Sequence, residues 1–307
     1  MVRSFFRGVS MRLGFSLPMF GKAAATPGGI ARYARAAEQA GVAGLWVADR
    51  LLSPVDPVVP YPGYETMPEE FWTAQDPFAA LAVAAAVTET VLLGSSTINA
   101  TQYQPANLAR LLTSIEVASN GRLLPGLGIG WSPDEYAAVG IPIAERGRRL
   151  DDLLDLLESW WTKDVVSHEG IGYTIPETHV ALKPVRKPPV HLAGFGEKAL
   201  SRVAKRADGW LPVWSVPEVF PAEVLTTTLA KIRADAEKAG RDPRSLGVAL
   251  RVNVAPGTKP ELIAESVAKI VSALDPDHAF VDLTYLTSSV DEHLDLTGHL
   301  LELTANG

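Results

Sequence analysis

Residues 123–135 read Leu123-Leu-Pro-Gly126-Leu-Gly128-Ile-Gly130-Trp131-Ser132-Pro133-Asp134-Glu135, an apolar strand that passes directly into the start of a helix. Ser132 followed by proline and then by Glu135 is the capping-box pattern of a helix N-terminus, with proline at the first helical position. The same order of strand and helix recurs eight times along the chain. The predicted strands are Leu13–Leu17, Gly44–Ala48, Val91–Ile98, Leu123–Gly130, Val190–Gly194, Gly209–Val213, Leu246–Ala255 and Ala279–Thr284.

Strict alternation of strand and helix predicts a parallel sheet, because parallel strands need long crossover connections. Eight such units in 307 residues predict an α/β fold of the (β/α)8 or TIM-barrel type, with an open doubly wound sheet as the alternative. Two connections are unusually long and are predicted to be insertions: Leu51–Gln75 after strand 2 and Thr162–Pro189 before strand 5. We therefore expect one domain over residues 11–307 and an N-terminal extension over residues 1–10.

The composition argues against several classes of protein. The absence of cysteine excludes disulfides, thiol nucleophiles and cysteine-ligated metal centres, and the spacing of the six histidines predicts no metal site. A formal net charge of -7 argues against a nucleic-acid partner. The longest apolar runs, such as Phe78–Val87, are too short for a membrane span, and residues 1–10 lack the apolar core of a secretory signal. We expect a cytoplasmic protein.

A barrel of this type carries its chemistry at the carboxyl ends of its strands. The second predicted strand ends in Asp49-Arg50, an acid and a base that are catalytic candidates, with a rim ion pair as the alternative. The long loop that follows is rich in aromatic residues and suits a lid over a substrate; packing on the rim or on a second subunit is equally consistent. The predicted substrate-contacting residues are Tyr61, Tyr64 and Trp72 in this loop and Tyr103 at the neighbouring rim.

Glycines recur at every second position of the fourth predicted strand, at Gly126, Gly128 and Gly130, so they are expected to point to one face. Their missing side chains leave room for a flat ligand or, alternatively, ease the packing of the barrel. Trp131 follows at the mouth of the barrel and is a further catalytic candidate.

The fifth predicted strand leads through two glycines into a helix expected over about Glu197–Arg206, which has no Ser, Thr, Asp or Asn cap. Free N–H groups and the helix dipole attract an anion at such an end, and Lys198 and Arg202 are expected to add positive charge. A phosphate group satisfies this helix end, and water is the alternative.

Taken together, these residues resemble the bacterial-luciferase-like family of flavin- and deazaflavin-dependent oxidoreductases. The resemblance is carried, in order, by Leu45-Trp-Val-Ala-Asp49-Arg-Leu-Leu, Gly94-Ser-Ser-Thr97, Gly126-Leu-Gly-Ile-Gly130-Trp, Pro142–Leu150, Pro188–Gly194 and Arg206–Pro212. It implies a homodimer, a cofactor ring at the strand carboxyl ends, a cis peptide at Ser96–Thr97 behind that ring, and a phosphate loop at Gly194–Lys198. The implied cofactor-binding residues are Ser96, Thr97, Gly128, Gly130, Ala193, Gly194, Phe195, Gly196 and Lys198.

Within this family the sequence looks most like the branch that uses the deazaflavin F420, which implies hydride transfer between F420 and a small organic substrate. The alternatives are an FMN-dependent monooxygenase, supplied with reduced flavin by a separate reductase, and a flavin-binding protein without turnover. Related deazaflavin enzymes often carry histidine where this chain has Arg50. Because arginine is too basic to be a general base, we expect Arg50 to act through its charge and Asp49 to orient Arg50 or to contact the ring.

Overall fold

The computed structural model describes residues 13–305, so the extension predicted at residues 1–10 lies outside the described residues. The strands are β1 (Leu13–Ser16), β2 (Gly44–Val47), β3 (Leu92–Ser95), β4 (Ile98–Asn99), β5 (Leu123–Leu124), β6 (Gly126–Gly128), β7 (Val165–Gly170), β8 (Tyr173–His179), β9 (His191–Ala193), β10 (Gly209–Leu211), β11 (Val213–Val216), β12 (Gly247–Val254) and β13 (His278–Asp282). The α-helices are α1 (Gly21–Ala24), α2 (Gly29–Gln39), α3 (Pro77–Val87), α4 (Pro105–Ala118), α5 (Pro133–Ala138), α6 (Arg146–Thr162), α7 (Glu197–Arg206), α8 (Ala222–Lys238), α9 (Pro260–Leu274) and α10 (Val290–Ala305).

All eight predicted barrel strands form, but three of them are broken into two pieces each. The third predicted strand is β3 and β4, the fourth is β5 and β6, and the sixth is β10 and β11. The strands follow one another as β4-β6-β9-β10-β12-β13-β1-β2-β3-β5. β1 pairs in parallel with β13, which joins the last predicted strand to the first. The parallel pairs β3–β5 and β4–β6 join the third predicted strand to the fourth. The (β/α)8 barrel is confirmed, and the open doubly wound alternative is wrong.

The side chain of Trp46 fills the centre of the barrel. Its ring stacks on Phe280 with centroids 4.4 Å apart. A Cβ atom on Gly14 or Gly94, in the two strands that flank β2, would lie 2.8 Å and 2.3 Å from atoms of the Trp46 ring. Glycine at these two positions therefore makes room for the indole, and the packed indole closes the barrel below the rim at which Asp49 lies.

Two glycines of the fourth predicted strand make room for residues of the third. A Cβ on Gly126 would lie 1.8 Å from the Ser95 carbonyl oxygen, and one on Gly128 would lie 2.6 Å from Thr97 Oγ1. The close approach of the third strand therefore requires both glycines, as the packing alternative proposed. The expectation that all three glycines share one strand face is wrong for Gly130, because β6 ends at Gly128 and Gly130 has a φ of 62°, a conformation that favours glycine.

Both predicted insertions are present. The loop over residues 51–75 leaves the carboxyl end of β2 and contains a single 3₁₀ turn, Glu69–Trp72. The insertion before the fifth strand contains the antiparallel hairpin β7–β8, which packs on α6 through Leu156, Val166 and Ile175. None of the helices described between residues 13 and 305 is long and apolar enough to cross a bilayer.

Candidate active site

A cavity of about 160 Å³ opens at the carboxyl end of the barrel. Six of the residues predicted from the sequence line it: Asp49, Arg50, Tyr61, Ser96, Thr97 and Trp131. Phe71, an aromatic residue of the long loop predicted to be a lid, lines it as well. Residues that were not predicted as site residues complete the lining: Phe20, Ala48, Asn99, Arg251, Asp282, Thr284 and Tyr285. The cavity thus has a polar floor and aromatic walls, and its lining residues come from both sides of the barrel.

One oxygen of the Asp49 carboxyl group is fixed by two donors. Oδ2 accepts a hydrogen bond from the Asn99 N–H at 2.9 Å and another from the Tyr103 hydroxyl at 3.0 Å. Burial raises the pKa of Asp49 to about 6, although both donors act to lower it. Tyr103 was predicted to contact substrate, but the structure places it behind Asp49, where burial and the adjacent carboxylate raise the pKa of its hydroxyl.

Arg50 pairs with Glu135 and not with Asp49. The distance from Arg50 Nη1 to Glu135 Oε1 is 3.1 Å, and the two side chains are only 7% and 1% exposed. The guanidinium also lies over the rings of Phe71 and Trp131, 5.1 Å from each centroid. The expectation that Asp49 orients Arg50 is therefore wrong, and so is the alternative of an ion pair between these neighbours, because the Arg50 side chain turns toward α5.

Glu135 is a residue of the site that sequence reasoning took only for part of a helix cap. Ser132 Oγ accepts from the Glu135 N–H at 3.3 Å, as the capping pattern predicts. The Glu135 carboxylate, however, accepts from the Leu51 N–H at 3.0 Å and from Gln102 Nε2 at 3.2 Å. It does not complete the capping box, because the buried guanidinium of Arg50 requires a counter-charge at this point.

The loop over residues 51–75 covers the cavity with part of its aromatic side chains. Tyr61 lies between Phe71 and Trp131, with centroid distances of 5.0 Å and 5.9 Å. Tyr64 stacks on Tyr285 at 6.3 Å, just outside the cavity lining. The fourth aromatic residue, Trp72, is 67% exposed and does not line the cavity.

The floor of the cavity holds a second buried ion pair, Arg251 with Asp282. Arg251 Nη1 donates to the Ser96 carbonyl oxygen at 2.6 Å. Burial alone would raise the pKa of Asp282, but the Arg251 guanidinium and hydrogen bonds from Thr284 hold it below its ordinary value. Sequence reasoning missed both residues, although an arginine within the apolar strand β12 and an aspartate at the end of β13 were signals in the sequence.

The peptide bond between Ser96 and Thr97 is cis, as the family resemblance implied. It lies between β3 and β4 at the rim of the barrel, where both of its residues line the cavity. The Ser96 carbonyl therefore has its orientation set from across the barrel by Arg251.

The N-terminus of α7 has no side-chain cap, and its N-cap residue is Gly196. A Cβ on Gly196 would meet nothing within 4 Å, so the backbone is open to a ligand. Lys198 is exposed on the first turn, and Phe195 is 47% exposed and packs on Trp210 with ring centroids 5.8 Å apart. These residues, together with Gly194 and with Ala193 at the end of β9, lie outside the cavity at the rim of the barrel.

Arg202 adds no free positive charge to this helix end, which corrects the expectation from the sequence. Its guanidinium donates to Asp151 at 2.6 Å and 3.0 Å and to the Gly147 carbonyl at 3.1 Å. It therefore ties α7 to α6. Within residues 13–305, no group of three or more histidine or acidic side chains is arranged to hold a metal ion.

The family model of the luciferase-like monooxygenases matches residues 11–301 of this chain, which include the whole barrel. The chain belongs to this family. The fold is also similar to that of monooxygenase RslO1 from Streptomyces bottropensis. The crystal structure of that protein superimposes on this chain with a TM-score of 0.73 and 18% sequence identity, and the match covers 96% of this chain and 98% of that one. Membership indicates an oxidoreductase or a monooxygenase.

Two curated relatives of this luciferase-like protein are named for the deazaflavin F420. The F420-dependent glucose-6-phosphate dehydrogenase of Kribbella flavida is 28% identical over 267 residues, which is 84% of this chain and 73% of that protein. The F420-dependent hydroxymycolic acid dehydrogenase of Mycobacterium tuberculosis is 29% identical over 218 residues, 70% of this chain but 55% of that protein. The family and its relatives thus indicate a flavin or deazaflavin cofactor and a small-molecule substrate.

Proposed function

We propose that this protein is an F420-dependent oxidoreductase that transfers a hydride between the deazaflavin and a small organic substrate at the cavity. The observation that carries the proposal is a single rim that combines this cavity, the Ser96–Thr97 cis peptide behind it and the uncapped helix end at Gly196. The two F420-dependent relatives support the deazaflavin over FMN.

The residues present fit such a cofactor. Glycine at 196 leaves the start of α7 open, whereas Gly194 lets the chain pass close to Ala199, from which a Cβ would lie 2.5 Å away. The free N–H groups of this helix end and Lys198 suit the phosphate of the cofactor. Ser96, Thr97, Gly128 and Gly130 are the proposed contacts of the ring. When bound, the deazaflavin supplies a two-electron hydride donor or acceptor, and the protein supplies position and electrostatics.

The side chains of the cavity have distinct tasks in this proposal. Tyr61, Phe71 and Trp131 exclude water from one side, which strengthens electrostatic interactions inside the cavity. Arg50, held in place by Glu135, presents a permanent positive charge between two rings and stabilises negative charge on the reduced ring or the substrate.

Equilibrium binding tests the cofactor. We expect F420 to bind with a Kd in the micromolar range or lower, followed by its own fluorescence, and FMN to bind more weakly. Equal or tighter binding of FMN would replace the proposal with an FMN-dependent monooxygenase that requires a flavin reductase. Binding of either ring without any turnover over a panel of alcohols, carbonyl compounds and dioxygen would indicate a binding protein.

A further inference from the structure

We propose that Asp49 is the proton-transfer residue of this site and that the substrate is an alcohol or the corresponding carbonyl compound. The inference rests on the proposed hydride transfer and adds to it the chemical class of the substrate and the group that handles its proton.

The geometry of Asp49 leaves one carboxyl oxygen available to a ligand. Oδ2 is occupied by the Asn99 N–H and the Tyr103 hydroxyl, whereas Oδ1 receives no hydrogen bond from the residues that the structure describes. Asp49 lines the cavity, and Asn99 Nδ2 also holds the Asp49 carbonyl at 3.3 Å. A carboxyl group that lines a cavity, with one oxygen fixed and the other without a hydrogen bond, is positioned to exchange a proton with a bound hydroxyl group.

The other ionisable groups of the cavity wall are unsuited to this task. Arg50 and Arg251 are guanidinium groups, which keep their protons at any working pH, and each is paired with a buried carboxylate. Asp282 is that carboxylate for Arg251, and its pKa is held low. Tyr285 is a phenol, and burial raises the pKa of its hydroxyl above its already high ordinary value.

The surroundings of Asp49 place its titration near neutral pH. Burial is the main cause of the raised pKa of about 6, and the negative charges of Glu135 on α5 and Asp76 at the start of α3 add to it. The Asn99 N–H and the Tyr103 hydroxyl act in the opposite direction, and the adjacent Arg50 turns its charge toward Glu135. A general base is most effective when its pKa lies close to the working pH.

The ionised Asp49 Oδ1 takes the hydroxyl proton of the substrate while the carbinol C–H bond breaks and its electron pair leaves, as hydride, for oxidised deazaflavin. The C–O bond becomes C=O, the deazaflavin is reduced by two electrons, and protonated Asp49 returns its proton to solvent. In the reverse direction, protonated Asp49 donates to the oxygen of a carbonyl substrate.

Two measurements test the inference. The first needs neither cofactor nor substrate: isotope-edited infrared spectroscopy should show a carboxyl group that titrates near pH 6 in wild-type protein and is absent from Asp49→Asn. The second is oxidation of propan-2-ol, cyclohexanol or benzyl alcohol with F420, and the reverse reaction with the matching carbonyl compounds. We expect Asp49→Asn to lower kcat by about a hundredfold or more while the Kd for F420 stays within about threefold.

Tyr103→Phe is the matched variant that separates a proton-transfer role from a structural one. Removing a donor to Oδ2 should shift both the infrared titration and the pH dependence of kcat to higher pH, whereas loss of packing would lower kcat without moving either midpoint. An Asp49→Asn variant with wild-type kcat and pH profile would overturn the inference, as would wild-type protein that binds F420 but turns over none of the alcohols or carbonyl compounds. Failure of the proposed function itself is recognised by absent F420 binding in a protein whose carboxyl group still titrates.

Discussion

The guanidinium of Arg50 donates to the carboxylate of Glu135 across 3.1 Å, and both side chains are almost completely withdrawn from solvent. Arg50 follows β2 and Glu135 lies in α5, so the pair joins two βα units directly at the rim. Because the same carboxylate accepts from the Leu51 N–H, it also fixes the start of the loop that covers the cavity.

This pair should show strong energetic coupling. We expect Arg50→Met or Glu135→Gln alone to lower the free energy of unfolding by about 3–5 kcal/mol, because each leaves a buried charge without its partner. The double variant should lose clearly less than the sum of the two, since neither charge remains. Urea unfolding of the four proteins measures the coupling. The exposed pair Arg32–Asp291, at 2.6 Å, is the control and should give a coupling below about 1 kcal/mol.

The raised pKa of Asp49 predicts a pH dependence of stability. Between the unfolded value of 3.8 and the folded value of about 6, the native state holds a proton that the unfolded chain has released, so stability falls as pH rises through this window. Asp49→Asn removes this effect. As the pH rises from 4 to 7, the free energy of unfolding of the variant should increase relative to that of wild type by up to about 3 kcal/mol. The comparison is made in unfolding experiments without cofactor.

Asp56→Asn is the matched control for this measurement, because Asp56 is an exposed aspartate of the loop that follows β2. Its stability difference from wild type should not change over the same pH range. A difference for Asp49→Asn that is flat from pH 4 to pH 7 would show that Asp49 ionises normally in the folded protein.

Two substitutions at one residue test the phosphate site at the start of α7. Gly196 has φ −70° and ψ 151°, values that proline adopts, and a Cβ there meets no neighbour. Both Gly196→Ala and Gly196→Pro should therefore fold with nearly unchanged melting temperatures. Only proline removes the N–H, so we expect the proline variant alone to bind F420 about tenfold more weakly, a loss of about 1.4 kcal/mol. Equal affinities of the two variants would place the phosphate elsewhere.

The exposed apolar face of helix α3 leads us to predict that the protein self-associates. Its sequence, PFAALAVAAAV, contains no polar residue, and it leaves Ala79, Ala82, Val83 and Ala86 exposed on one face. A helix that is apolar all round is typically buried, which supports the homodimer expected from the family resemblance. Sedimentation at micromolar concentration should give a dimer for wild type and a shift toward monomer for Val83→Glu. Val117→Glu, at an exposed position of α4, is the control variant and should leave the sedimentation coefficient unchanged.

The eight strands, the start of α5 and both ends of α7 were predictable because they depend on short-range patterns. Ser132 accepts from the Glu135 N–H at 3.3 Å with Pro133 at the first position of α5, as the capping pattern indicated. The absence of a cap at Gly196 was equally visible, and α7 spans the predicted residues 197–206. The breaks in three strands were not predicted, since they depend on how each strand pairs with both neighbours.

The partners of the buried charges were decided by tertiary structure alone. Arg50 and Glu135 are 85 residues apart, and Arg251 and Ser96 are 155 residues apart, so no local pattern connects either pair. The sequence by itself predicted that Asp49 and Arg50 lie at the carboxyl-end rim of the barrel, but it suggested that these neighbours interact. Closure of the barrel brings Glu135 and Asn99 to that rim, and a charge withdrawn from water must be satisfied by whichever group the fold places beside it.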